Sequence, residues 1–259
     1  MNDAPPSGGE QTLIAHLLEL RSRLLRSIVA ILVLALPLMF FGQELYSLVA
    51  APLLQFLPAG SSMIATEVAS PFFAPIKLAF VVALVLAMPW VLYQVWAFVA
   101  PGLYRSEQRF VVPLLLSSTL LFYAGIAFAY FAVLPAVFRF VVGVAPEGVA
   151  VMTDINQYLD FVLAMFVVFG VAFETPVAIV LLVKTGFVTP ARLASVREYV
   201  FLGAFVAGAI LTPPDVLSQT LLALSIYLLY EIGIVAARVL VPGSREVEAQ
   251  QRLETLNRE

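Results

Sequence analysis

The chain has 259 residues, of which 62% are hydrophobic and 12% charged, and its mean hydropathy is +1.00. Soluble domains are about half apolar and about a quarter charged, so this composition excludes an ordinary soluble fold and indicates an integral membrane protein. The chain contains no cysteine, which excludes disulfides and cysteine-bound metals, and its single histidine, His16, argues against a histidine metal site. We therefore expect no metal and no cofactor.

Six apolar segments, separated by loops rich in proline, glycine and charge, predict an all-α polytopic membrane protein. The segments cover residues 27–41, 72–99, 111–134, 158–183, 200–211 and 216–230. Residues 1–26 predict a cytoplasmic N-terminus with an amphipathic helix over 12–26, because leucines recur there at helical spacing. The first apolar segment continues into Pro37 without a small-residue cleavage site, so we expect a retained helix and not a signal peptide.

The loops and their charges predict the orientation. Residues 42–71 and 135–157 form long outer loops whose apolar runs predict caps on the outer membrane surface, and 241–259 predicts a charged cytoplasmic tail. Twelve of the 14 lysines and arginines fall on one face: before segment one, between segments two and three, between four and five, and after six. Basic residues mark cytoplasmic loops, so an even number of spans places both termini in the cytoplasm.

Segments five and six are predicted to be short. A straight helix needs about 20 residues to cross a hydrocarbon core of about 30 Å, whereas segment five reaches only about 18 Å. The turn between them carries a helix-start signal: Thr212 fits the N-cap, Pro213 fits the first helical position, and Asp215 lies in the first turn. We expect a hairpin of two short helices around which the bilayer thins, with a wet notch beside neighbouring helices as the alternative.

Recognisable catalytic signatures are absent from the sequence. It contains no H-E-x-x-H, nucleophile elbow, P-loop or dinucleotide fingerprint, so an enzyme is not expected. Glu174 is the one acid deep in a predicted segment, where an ionisable group costs about 2.5–3.5 kcal/mol and should face the bundle interior or a cavity. Two interpretations stay open: a functional intramembrane acid, or a neutral acid bonded to a carbonyl that Pro176 frees.

Two acids near the predicted cytoplasmic boundary suggest recognition of a basic peptide. Glu19 lies in the amphipathic helix, where it also forms an i, i+4 pair with Arg23. Glu107 follows the turn Pro101-Gly102 and a run of aromatic residues, and it could equally complement the helix dipole of segment three. Two carboxylates at this boundary would hold two arginines, because bidentate guanidinium–carboxylate pairs discriminate arginine from lysine.

Several motifs resemble TatC, the family of multi-spanning receptors of twin-arginine protein translocation. The amino-terminal signature is LLELRSRL at residues 17–24. The other matching motifs are, in chain order, Pro71-Phe72-Phe73, Gln94-Val95-Trp96-Ala97-Phe98, Pro101-Gly102-Leu103-Tyr104 with Glu107, Phe173-Glu174-Thr175-Pro176 and Leu211-Thr212-Pro213-Pro214-Asp215. Together they extend from about residue 12 to 240, almost the whole chain.

The resemblance implies a concave, glove-like bundle of six helices in a bacterial inner membrane, with both termini in the cytoplasm. The signal peptides of folded cargo, which carry paired arginines, would bind on the cytoplasmic face. The implied binding residues are Glu19, Arg21, Phe98, Pro101, Leu103 and Glu107. Glu174 would face the concave side, and Thr212 and Gln219 would dock single-span partners of the TatA and TatB type. The implied structural turn is Pro213, Pro214 and Asp215. The resemblance further implies a multimeric receptor complex, transport driven by the proton-motive force, and no nucleic-acid partner.

A proton-coupled secondary transporter with Glu174 as its ion site is the rival interpretation. The sequence shows no repeated halves and no second deep charge to partner Glu174, and both points disfavour it. Solute flux into liposomes that contain this chain alone, abolished by Glu174→Ala, would support it.

Overall fold

The structure is a computed structural model that describes residues 8–54, 63–99, 108–144, 152–211 and 216–241. Within these ranges every regular element is a helix. The α-helices are α1 (Gly8–Leu38), α2 (Gly42–Leu54), α3 (Ser70–Val99), α4 (Gln108–Phe128), α5 (Leu134–Val144), α6 (Ile155–Ala172), α7 (Thr175–Lys184), α8 (Pro190–Ser195), α9 (Arg197–Leu211) and α10 (Val216–Leu240). A 3₁₀ turn (Met39–Phe41) joins α1 to α2, and a π-helical turn (Ala129–Val133) joins α4 to α5.

Five helical stretches of the described residues are long and apolar enough to cross a membrane, so the chain is a polytopic all-helical membrane protein. They are Ile14–Ala51, Ser70–Phe98, Val112–Gly143, Ile155–Lys184 and Val216–Leu240. Each corresponds to one of the predicted segments. The remaining segment, number five, is α9, whose 15 residues reach about 22 Å and are short for a straight crossing. The count of six spans therefore stays a prediction.

The prediction that segment six is short and ends near Tyr230 is wrong. Helix α10 continues to Leu240 and has 25 residues. The sequence suggested an end at Tyr230 because the next residue, Glu231, interrupts the apolar run. In the fold Glu231 lies inside the helix, and its carboxylate pairs with Arg197 at 2.7 Å.

The predicted outer loops 42–71 and 135–157 are partly helical, so residues 42 and 135 do not mark helix ends. Helix α2 follows α1 after one 3₁₀ turn, and Gly42 lets it approach α3, because a Cβ at Gly42 would lie 2.8 Å from the Cβ of Pro75. Helix α5 follows the π-helical turn. This wider turn of the backbone lies just before Pro135 and accommodates the proline, which has no backbone N–H to donate.

Predicted segment four breaks in the middle, between α6 and α7. Pro176 cannot donate to the carbonyl of Ala172, and the Thr175 hydroxyl donates to that oxygen instead, at 2.7 Å. Thr175 therefore satisfies the acceptor that proline leaves, which is a condition for bending a helix inside lipid. The break places Glu174 between the two helices.

The buried core lies where α3, α4 and α6 meet, and it includes Leu78, Phe122 and Phe169. Helix α1 packs along α3 and leaves many large apolar side chains exposed, as expected of a surface that contacts lipid. This arrangement brings the start of α1 beside the end of α3, where the first predicted binding residues lie.

Candidate functional site

Two side chains of α1 and one of α3 form a continuous polar contact. The Arg23 guanidinium donates to Glu19 Oε1 from both Nε, at 2.9 Å, and Nη2, at 2.6 Å. Its Nη1 donates to Gln94 Oε1 at 3.2 Å, across from α1 to α3. The Glu19 side chain is 41% exposed and that of Arg23 21%, whereas Gln94 is almost fully buried at 2%. The predicted acid Glu19 thus lies at the edge of the α1–α3 interface and already binds a guanidinium.

An aromatic contact extends this cluster. The His16 imidazole, one turn before Glu19, stacks on the ring of Phe98 with centroids 4.2 Å apart and planes 16° from parallel. Because His16, Glu19 and Arg23 share one face of α1, they line up with Phe98 and Gln94 on the facing helix. The structure therefore brings the predicted residues Glu19 and Phe98 together; we call the five residues the α1–α3 cluster.

Several predicted site residues lie outside the described residues, and others are placed elsewhere. Pro101, Leu103, Glu107, Thr212, Pro213, Pro214 and Asp215 fall outside the described ranges. Arg21 is exposed on α1. Gln219 of α10 donates to the backbone oxygen of Phe205 on α9 at 3.1 Å and packs closely against Gly208. In the structure Gln219 therefore joins the two helices of the predicted hairpin.

Glu174 belongs to a second polar chain, which crosses three helices. The Trp96 indole N–H donates to the Ser118 hydroxyl at 2.8 Å, and Ser118 donates to Glu174 Oε2. The other carboxylate oxygen, Oε1, is buried and has no hydrogen-bond partner. The interpretation that Glu174 bonds the carbonyl freed by Pro176 is wrong, because Thr175 takes that carbonyl and Glu174 accepts from Ser118.

Four polar groups of the spans were not predicted to pair. Glu231 lies inside α10, so Glu174 is not the only acid within a span, and Arg197 of α9 pairs with Glu231. Ser118 was not singled out and Gln94 appeared only as part of a motif, although each is a polar residue in an otherwise apolar stretch. Polar side chains in lipid-spanning helices face protein partners, so their presence in apolar stretches could have indicated contacts between helices.

At the far end of α3, one carboxylate joins two distant stretches of chain. Asp154 Oδ2 accepts from the N–H and hydroxyl of Thr66, at 2.9 and 2.7 Å. Asp154 Oδ1 caps α6 by accepting from the N–H groups of Asn156, at 2.8 Å, and Gln157, at 3.1 Å. The Asn156 amide in turn donates to Ser70 Oγ at 2.6 Å. A cavity of about 500 Å³ opens beside this Asp154 junction, with Lys77 and Asp160 paired in its lining.

The Asp154 junction should make stability depend on pH. Hydrogen bonds from the Thr66 side chain, then from backbone N–H groups, lower the pKa of Asp154 from 3.8 to about 2. Because the folded-state pKa is depressed, the ionised carboxylate stabilises the fold above pH 3.8, and this contribution is lost as the pH falls towards 2. Asp154→Asn should lower the Tm at neutral pH and flatten the change in Tm across that window, measured by thermal unfolding in detergent.

The control for this prediction is Glu44→Gln, which removes an exposed carboxylate of α2 outside the junction. It should keep the pH profile of the unmodified protein. An equally steep loss of Tm in Asp154→Asn between pH 3.8 and 2 would contradict the assignment to Asp154.

Comparison with known proteins identifies the family. The family model described as "Sec-independent protein translocase protein (TatC)" matches residues 15–224, most of the chain. The chain is 58% identical over 238 residues to the Sec-independent protein translocase protein TatC of Escherichia coli (strain K12), covering 92% of each chain, and 51% identical over 236 residues to that of Haemophilus influenzae, covering 91% and 92%. It superimposes on a solved structure described as "Crystal Structure of Twin Arginine Translocase Receptor- TatC" with a TM-score of 0.78 and 41% identity, over 86% of this chain and 98% of that one. The chain therefore belongs to the TatC family and is a component of the Sec-independent protein translocase.

Proposed function

We propose that this chain is the receptor and core subunit of twin-arginine translocation, and that it binds the signal peptide of folded cargo at the α1–α3 cluster. The observation that carries the proposal is the Glu19 carboxylate, which is partly exposed and accepts two guanidinium N–H groups. A carboxylate that binds one guanidinium has the geometry and charge to bind another. The relatives' name and the "receptor" of the solved structures support the same role.

The surroundings of Glu19 fit a peptide that is both basic and partly apolar. Phe98 provides aromatic surface within the same cluster, and Leu17 and Leu20 are exposed on either side of Glu19. The chain continues from Phe98 towards Pro101, Leu103 and Glu107, so these residues are close to it in sequence. In the proposal Glu19 and Glu107 each bind one arginine of the pair.

The topology that the proposal requires has both termini in the cytoplasm. Gln94 and Ser70 are 24 residues apart on α3, about 36 Å, so the α1–α3 cluster and the Asp154 junction lie at opposite ends of a spanning helix. The cluster end carries the basic N-terminal residues, which favours the cytoplasmic side of the bacterial inner membrane. In this proposal six spans form a concave bundle, with α9 as the short fifth span.

Partner docking and energy supply complete the proposal. Single-span proteins of the TatA and TatB type would dock at the hairpin of α9 and α10, near Thr212 and Gln219, in a multimeric complex. Transport of folded cargo would draw on the proton-motive force. Gln219 lies at this hairpin, where its hydrogen bond to Phe205 fixes α9 against α10.

Peptide binding to the purified full-length chain tests the receptor role. The probes are two fluorescent peptides that differ only in carrying an Arg-Arg or a Lys-Lys pair. Glu19→Gln and Glu107→Gln should each lower affinity for the arginine peptide by about tenfold, since a hydrogen bond to a charged group contributes about 1.5–3 kcal/mol and exposure favours the low end. The lysine peptide should bind more weakly to the unmodified protein, because an ammonium cannot form the bidentate pair.

The matched control is Glu198→Gln, the same substitution at an exposed acid in the first turn of α9. It should leave both affinities unchanged. Unaltered binding in the Glu19→Gln, Glu107→Gln double variant would overturn the receptor proposal. Flux of protons or solute through liposomes that contain only this chain, lost in Glu174→Ala, would favour the transporter interpretation instead.

A further inference from the structure

The guanidinium of Arg23 is held in two unequal ways. Both of its contacts with Glu19 end on one oxygen, Oε1, so the pair is not the fork-to-fork arrangement in which each oxygen accepts one N–H. On its other side Arg23 donates to the buried carbonyl of Gln94. Its hold on Glu19 thus lacks the strongest geometry available to a guanidinium and a carboxylate.

The buried side-chain amide of Gln94 forms a hydrogen bond through its oxygen only. Arginine only donates hydrogen bonds, so the Gln94 oxygen must face Arg23 and the amide nitrogen must point away. That nitrogen, Nε2, is buried without a partner. An incompletely bonded buried amide is unfavourable, so the bond that Arg23 makes to the Gln94 oxygen is the contact that offsets part of its burial.

We propose that Arg23 is an internal competitor of the peptide's guanidinium: it occupies Glu19 in the resting protein, and when a peptide arginine takes Glu19 it stays bonded to Gln94 alone. This inference rests on the proposed receptor function and assigns Arg23 and Gln94 as residues that set the affinity of the same site. The entering arginine pairs bidentately with Glu19, while Arg23 keeps its bond to Gln94. The number of guanidinium groups with a partner therefore does not fall during the exchange.

The exchange places a competitor on the peptide site. Moving Arg23 off Glu19 costs the same free energy whichever peptide enters, so Arg23 weakens the binding of arginine and lysine peptides by the same factor. The preference for arginine then comes from the bidentate pair with Glu19 alone.

Substitution of Arg23 tests the exchange through two affinities. In Arg23→Gln the competitor is gone, so the arginine and lysine peptides should each bind roughly three- to fivefold more tightly, a factor set by the strength of an exposed ion pair. The ratio of the two dissociation constants should stay the same. Arg23→Lys leaves a weaker competitor and should give an intermediate gain for both peptides.

The matched control is Arg26→Gln, which removes the same charge from an exposed position of α1 three residues further on. It should leave both dissociation constants unchanged. Gln94→Leu removes the acceptor for the displaced guanidinium and should weaken binding of both peptides, but it should have no further effect when Arg23 is already Gln.

The outcomes separate this inference from the receptor role. If the unmodified protein binds the arginine peptide in a Glu19-dependent way and Arg23→Gln weakens that binding, Arg23 merely orients Glu19 and the exchange is overturned. Equal gains in affinity from Arg23→Gln and Arg26→Gln would overturn it as well, since net charge would then account for the effect. Absence of Glu19-dependent binding would overturn the receptor role, and the exchange with it.

Discussion

Replacing Glu174 with lysine should abolish transport of a folded reporter that carries a twin-arginine signal peptide, whereas Glu174→Gln should retain most of it. The Ser118 hydroxyl and the Trp96 indole N–H form a directed chain of donors that ends on the carboxylate. A glutamine oxygen accepts from Ser118 as the carboxylate does. A lysine accepts nothing, and its charge inside the bundle costs about 2.5–3.5 kcal/mol. The measurement is the fraction of reporter exported from cells that produce each variant at equal level.

Stability of the purified variants separates a folding defect from a transport defect. Glu174→Lys should lower the Tm, and Ser118→Ala should lower it less, because that variant leaves the Trp96 donor and the Glu174 acceptor unpaired without burying a new charge. Transport by Glu174→Lys equal to that of the unmodified protein would refute the interior position of Glu174.

Gly125→Ala should destabilise the fold more than any other single added methyl group at a described glycine. A Cβ at Gly125 would lie 2.5 Å from the Phe169 carbonyl oxygen and 2.9 Å from the carbonyl carbon, so α4 and α6 would have to separate. Overpacking of this kind typically costs about 1–3 kcal/mol, and a contact with backbone is the least able to relax. We expect a lower yield of folded protein and a lower Tm in detergent.

Gly203→Ala is the matched control, because the same substitution on α9 meets no atom within 4 Å. Alanine favours a helix over glycine by about 0.5–1 kcal/mol, so this variant should be as stable as the unmodified protein or slightly more so. Equal Tm values for the two alanine variants would show that α4 and α6 do not approach as closely as described.

Local patterns predicted most of the helices but not the long-range pairs that determine where they end. The proline in Phe173-Glu174-Thr175-Pro176 indicated the break in segment four, since its effect is confined to one turn. The continuation of α10 past Tyr230 was not predictable in the same way. Glu231 interrupts the apolar run there, and the residue that pairs with this acid in the fold, Arg197, is 34 residues away in sequence.

The candidate site shows the same division between local and tertiary information. The acid Glu19 and its i, i+4 partner Arg23 are visible in sequence, because both belong to one helix. The bond from Arg23 to Gln94 and the stacking of His16 on Phe98 require α1 and α3 to be antiparallel neighbours in a given register. Amphipathic spacing predicts which face of a helix is buried, but it does not predict which residues of the neighbouring helix contact that face.

The ten residues of α10 beyond Tyr230 have a consequence for the direction of α7. Gly233 lies so close to α7 that a Cβ there would be 2.7 Å from Ile179 Cδ1 and 3.0 Å from the Cα of Pro176. The angle of the kink at Pro176 therefore depends on the close packing of α10 at Gly233, which has no side chain to hold α7 away, and not on the proline alone. A bulkier residue at 233 would swing the second half of this broken span away from its support and shift Glu174 with it.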